Sequence, residues 1–106
     1  MTLARQTYRL SECFPPDERF GLTAQIRRAA VSVPANIAEG NARGSAREYA
    51  HFLSVSKGSL METETLLLLA LHLELISEPD AVPTLQLITE LSKMITALRR
   101  CLLKRA

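Results

Sequence analysis

Apolar residues recur along this chain at the three-and-four spacing of helices, and the clearest run is residues 22–43, LTAQIRRAAVSVPANIAEGNAR. Leu22, Ile26, Ala29, Val33, Ile37 and Gly40 fall on one helical face. Ala24, Ala30, Ala35 and Ala38 widen that stripe with small side chains, which lets neighbouring helices come close. Gln25, Ser32 and Asn36 are polar residues set among them. Pro34 has no N–H to donate, and its ring crowds the carbonyl of Ala30. The pattern predicts a helix from about Pro16 to Glu39, bent at Pro34, with the freed groups satisfied by neighbours. Two helices, the second starting at Pro34 under a cap from Ser32 or Val33, are the alternative. The unbroken phase of the stripe across the proline favours one bent helix. Gly40, which tolerates a left-handed backbone, is the expected stop.

On either side the pattern predicts three more helices. Residues 2–12 form a short first one with Leu3, Tyr8 and Leu10 inward. Pro15 and Pro16 turn the chain and suit the first turn of the next helix, where Asp17 and Glu18 complement the dipole. Ser45 and Glu48 have capping-box spacing and open the longest helix, about 45–76. Its inward stripe is Tyr49, Phe52/Leu53, Ser56, Ser59/Leu60, Thr63, Leu66/Leu67 and Ala70, with Ser56, Gly58 and Ser59 as a flat patch level with Pro34 that is expected to admit close backbone approach. Ser77, Pro79, Asp80 and Pro83 mark the last turn, before a helix over about 83–104 with the seam Leu85, Ile88, Leu91, Ile95, Leu98 and Leu102. The expected fold is all-α: one domain, 1–106, built as an up-down-up-down four-helix bundle. Leu69, Leu73, Leu75, Leu87 and Met94 lie outside the one stripe per helix that a lone bundle buries. They predict a homo-oligomer.

Q-I-R-R-A-A-x-S-V-P-A-N-I-A-E-G-x-x-R, followed by E-Y-x-x-F-L and K-G-S-L-x-E-x-E, closely resembles a family of small bacterial four-helix-bundle proteins. Its founding members are encoded by intervening sequences within 23S ribosomal RNA genes. The agreement is at motif level from about Leu10 to Glu64 and looser towards the C-terminus. The residues that carry it include Gln25, Arg27, Arg28, Ser32, Pro34, Asn36, Glu39 and Gly40. The resemblance implies a four-helix bundle assembled as a cyclic homopentamer, with no established biochemical activity. It also implies kinship with the accessory protein of diversity-generating retroelements, a basic pentamer associated with nucleic acid. In this family the first helix begins several residues earlier, so the present chain looks trimmed or naturally short there.

Composition narrows the function classes. The chain is 47% hydrophobic and 5% aromatic, which suits a Leu/Ala/Val-packed bundle. No apolar run reaches the roughly 18 residues of a membrane span, and the opening MTLARQTYRL does not read as a signal peptide. Cys13 and Cys101 give neither metal spacing nor a disulfide framework. Reduced thiols in a cytoplasmic protein are the expectation.

Candidate chemistry is sparse. Glu48 and His51 form an E-x-x-H, but a di-metal bundle needs two such pairs plus further carboxylates, and His72 has no glutamate three residues before it. Ser32, Ser56 and Ser59 have no histidine at their level to act as base, and no phosphate-binding glycine loop is present. The expectation is therefore no enzyme, no cofactor, no metal and no small-molecule substrate. Gln25, Asn36 and Glu39 read as residues that satisfy backbone groups near Pro34 and fix helix register. Glu39 and Arg43 also have the spacing of a local ion pair.

Charge distribution is the best functional lead, although the net charge is only +2. No Lys or Arg lies between Lys57 and Lys93, while residues 99–106 hold Arg99, Arg100, Lys104 and Arg105 without an acid. An up-down-up-down bundle would bring these four to one pole with Arg5, Arg43 and Arg47. The opposite pole would collect Glu12, Asp17, Glu18, Glu74, Glu78 and Asp80. Complementing the carbonyl end of the last helix explains Arg99 to Arg105 but not Arg43 and Arg47. The basic pole is the candidate contact for RNA or DNA phosphates. An adaptor that binds another protein through the apolar outer strips of the last two helices is the other reading.

Overall fold

The structure is a computed structural model that describes residues 1–18 and 21–106. Four α-helices account for most of it: α1 (Thr2–Ser11), α2 (Leu22–Ala42), α3 (Ala46–His72) and α4 (Glu78–Arg105). A single 3-10 turn, Pro16–Glu18, precedes α2, and no strand occurs among the described residues.

The second helix therefore starts at Leu22, later than Pro16. Pro15 and Pro16 have no N–H, and Glu18 N–H closes a tight turn onto Pro15 O at 2.9 Å. The Glu18 carboxylate then accepts from Leu22 N–H at 3.4 Å, serving the open amide end of α2. The part of the expected helix at 19–20 lies outside the described residues. Downstream, α2 is continuous through Pro34 and past Gly40 to Ala42.

The two glycines expected to stop a helix and to admit a neighbour have other roles. A Cβ on Gly40 would lie 2.7 Å from Phe52 Cβ and 3.1 Å from Tyr49 Cδ1, so α3 passes close against α2 at Gly40. Gly58 is exposed and has nothing within 4 Å of the corresponding position, so it is not a close-approach residue. The turn after α2 is made by Gly44, whose φ of +82° suits a residue without Cβ.

Ser45 caps α3 by accepting from Glu48 N–H at 3.1 Å. That helix stops at His72 instead of residue 76, because Glu74 adopts a left-handed φ of 61°. The last helix starts at Glu78 instead of 83: Ser77 caps it through Asp80 N–H, and Pro79 occupies the first turn, where its missing N–H costs little.

α3 is central. Its Ala50, Leu53, Ser56, Leu60, Thr63, Leu67 and Ala70 are buried in an unbroken three-and-four rhythm. Leu53, Leu60 and Leu67, with Ile26 of α2 and Ile88 of α4, are the largest fully enclosed apolar side chains. Each contributes about 1.5–3 kcal/mol by leaving water. α3 packs on α2 and on α4, whose backbones do not approach each other; α1 bridges those two. At 1.5 Å per residue, ten-residue α1 covers roughly 15 Å of a body 46 Å long. Tyr8 and Leu98 were expected inside and are exposed. On α1 the inward positions are Leu3, Ala4, Thr7, Leu10 and Ser11. Leu75 and Leu87, expected outside, are half-buried against the core, while Leu69, Leu73 and Met94 are exposed.

Candidate nucleic-acid interface

The candidate pole is built where the α2–α3 turn meets the end of α4. A shallow cavity of about 270 Å³ there is lined by Asn41, Gly44, Ser45, Ala46, Tyr49, Leu102 and Arg105. Arg105 is thereby brought beside the start of α3, which carries the exposed Arg47. One turn further along, Arg99 donates from Nε to the carbonyl oxygen of Ala50 at 3.2 Å, tying α4 to α3. Arg99, Arg100 and Lys104 line a second cavity of about 390 Å³ with Thr96 and Leu103.

Two of the seven expected cations do not belong with these. Arg43 is at the same end, but its guanidinium binds the Glu39 carboxylate at 2.9 Å and lies 5.0 Å from the Phe52 ring centroid. That ion pair satisfies the expected local spacing and offsets the charge. Arg5 is elsewhere. Met1, Thr2 and Leu3 line a cavity with Pro34, Ile37, Leu87 and Leu91, so α1 begins midway along the body. From Leu87 to Leu102 α4 rises roughly 22 Å. The short first helix never reaches the pole.

One cation that the sequence reading left out belongs to the site. Lys57 donates from Nζ to Thr96 Oγ1 at 2.8 Å, on the same α3–α4 seam as Arg99. The signal was available: Arg47, Ala50, Ser54 and Lys57 follow the three-and-four spacing of one helical face. Among the described residues the Arg43–Glu39 contact is the one ion pair, so Arg47, Lys57, Arg99, Arg100, Lys104 and Arg105 have no carboxylate partner.

The residues grouped around Pro34 divide differently. Asn36 Nδ2 donates to Ser32 O at 2.8 Å and to Ser32 Oγ at 2.9 Å, and the Ser32 and Ser59 hydroxyls pair at 2.8 Å across α2–α3. Gln25 and Glu39 are exposed and take no part, because their positions on α2 face away from α3 and α1. Arg27 fixes α1 instead: Nε donates to Ser11 Oγ at 2.7 Å, and the guanidinium lies 4.6 Å from the Tyr8 centroid. Arg28 is exposed. His51 is exposed and packs edge-on to Phe52, and no group of three or more potential metal ligands occurs among the described residues.

No helix among the described residues is long and apolar enough to cross a membrane. No curated protein matches the chain. A family model does: that of the 23S rRNA-intervening sequence protein, over residues 1–97. With nearly its whole length matched, including every residue of the Pro34 motif, the chain belongs to the 23S rRNA-intervening sequence protein family.

Proposed function

We propose that this protein is a non-enzymatic scaffold that assembles with copies of itself and binds RNA or DNA through backbone phosphates at the basic end of the molecule. The subunit is an up-down-up-down bundle with α2 bent at Pro34. The assembly is a cyclic pentamer, the number that the family resemblance implies, working in the cytoplasm. Arg47, Arg99, Arg100, Lys104 and Arg105 without a carboxylate partner are the observation that carries the reading. Cations left uncompensated at one end of a chain of net charge +2 concentrate positive potential there. Phosphate contacts of this kind give affinity and orientation without sequence readout. The chain has no Trp and only 5% aromatic residues, which argues against base stacking as the main mode.

The exposed Leu69, Leu73, Met94 and Leu103 support a second reading, an adaptor that covers these side chains with another protein and binds no nucleic acid. A salt-dependent gel shift with generic RNA and DNA, beside mass measurement by light scattering, separates the two. Binding at low salt that fades steeply as salt rises supports the scaffold. An oligomer with no affinity for either nucleic acid at low salt removes the phosphate-binding role.

A further inference from the structure

The cations on the α3–α4 seam differ from ordinary surface lysines and arginines in how they are held. Lys57 and Arg99 are both half-buried, and each is anchored to a neutral acceptor: Lys57 to the Thr96 hydroxyl at 2.8 Å, Arg99 to the Ala50 carbonyl at 3.2 Å. A neutral acceptor orients a cation without cancelling its charge. Lys57 keeps two of its three ammonium donors, and Arg99 uses one of five N–H groups on Ala50. Thr96 and Arg99 border the 390 Å³ cavity that Arg100 and Lys104 complete. Arg99, Arg100 and Lys104 thus line one open depression, with no acid among its lining residues, and Lys57 is held at its Thr96 edge.

We infer that this seam, centred on Thr96, is a seat for one backbone phosphate of a bound nucleic acid, with Lys57 and Arg99 as fixed donors and Arg100 and Lys104 closing over it. The inference rests on the phosphate-binding role proposed above and extends it from the tip of the molecule onto its side. A tetrahedral oxyanion with several acceptor oxygens suits convergent ammonium and guanidinium donors. Position along the helix favours the seam over the tip. Partial negative charge at a helix C-terminus falls off within the last turn. Thr96 stands more than two turns before Arg105, where that opposing field has faded. The expected pole was defined by helix ends, so Lys57, which lies mid-helix, fell outside it.

The test combines fluorescence anisotropy, using a labelled single-stranded RNA of about 20 nucleotides and a duplex of similar length, with amide and Arg Nε–H NMR. Lys57→Gln and Arg100→Gln address the seam, and Arg47→Gln with Arg105→Gln address the tip. Each lost phosphate contact lowers the slope of log affinity against log salt by roughly 0.7–0.9. Because the seam seats one phosphate, Lys57→Gln and Arg100→Gln combined are expected to lose at most about that much, and each alone less, while keeping wild-type helicity. Thr96→Val keeps every charge but frees Lys57, and it is expected to weaken binding with little change in slope. Sodium phosphate is expected to shift the Thr96 amide and Arg99 Nε–H signals where sodium chloride at equal ionic strength does not. Seam variants with wild-type slope, beside tip variants whose slope falls, would overturn the seam and leave the basic-end reading intact. Wild-type protein that binds neither nucleic acid while phosphate still shifts Thr96 and Arg99 removes the proposed function and leaves an anion seat without that ligand, which overturns the inference as stated.

Discussion

The Ser56 hydroxyl donates to the carbonyl oxygen of Val33 at 2.8 Å, across the α2–α3 interface and at the residue just before Pro34. Ser56 is fully buried and Val33 nearly so, and the bond sits beside the Asn36–Ser32–Ser59 chain. Thr63 continues the polar line by donating to Ser59 O at 2.8 Å. The polar motif of α2 is therefore largely a register device between α2 and α3. Ser56–Val33 and Ser32–Ser59 are the bonds that cross the interface, and a slip of one turn would break both and leave the buried Ser56 hydroxyl without this partner.

Asn36→Leu is expected to destabilise the fold by about 0.5–1.5 kcal/mol, because Ser32 loses the amide that serves its carbonyl and its hydroxyl while Ser59 still pairs with the hydroxyl. Arg100→Ala, at an exposed position, is expected to change stability by roughly 0.5 kcal/mol or less. Chemical melts of the two variants check the order; equal midpoints would mean that the amide is dispensable to the interface.

Gly40 and Gly58 make opposite predictions from the same substitution. Gly→Ala inside a helix ordinarily gains roughly 0.5–1 kcal/mol, and Gly58→Ala is expected to show that gain because nothing lies within 4 Å. At Gly40 the added carbon would meet Phe52 Cβ at 2.7 Å and the Tyr49 backbone at 3.3 Å. Overpacking of that kind costs about 1–3 kcal/mol, so Gly40→Ala is expected to destabilise. Shifts of the same sign for both would overturn the assigned crossing point.

The two glycines also show what the sequence makes legible. The inner faces of α2 and α3 are visible in it, because each helix buries one stripe and the periodicity marks that stripe from Leu22 to Gly40 and from Leu53 to Ala70. Which small residue stands at the crossing depends on the sliding position of one helix against the other, and periodicity does not encode it. The same holds for charge. Arg99, Arg100, Lys104 and Arg105 were legible as a cluster because they are close in sequence. Arg5 was misplaced because its level depends on how far α1 reaches. Lys57 was missed because its partner Thr96 lies on another helix.

Both cysteines are expected to react as free thiols in native, unreduced protein. Cys13 and Cys101 are exposed and unbridged. Cys13 follows the end of α1, where Arg9 and Leu10 share a cavity with Asp80 and Pro83 at the start of α4. Cys101 is near the other end of α4, a rise of roughly 32 Å away. A disulfide needs Cα atoms within about 7 Å. Thiol titration should count two per chain, and a monomer band with fewer on a non-reducing gel would contradict the chain path.

The short α1 leaves an apolar surface uncovered. Because α1 begins at the level of Leu87 and Leu91, the remaining groove between α2 and α4 is open beyond it. Ile37, Leu53, Leu91, Met94, Ile95 and Leu98 line a cavity of about 230 Å³ there, with Met94 and Leu98 exposed. A second subunit that covers this groove removes those side chains from water at little cost, since few polar groups need new partners. Met94→Gln with Leu98→Gln is expected to lower the solution mass to that of one chain, 11.8 kDa, while helicity by circular dichroism stays at the wild-type level. Both positions are already on the surface, so the substitutions leave the core intact. Nucleic-acid affinity should fall with the mass even though no cation is touched, because linked basic ends raise avidity without new contacts. A double variant that keeps the wild-type mass would move the interface to another face, such as Leu69 and Leu73. A wild-type mass of one chain at micromolar concentration would remove the assembly, and the avidity with it.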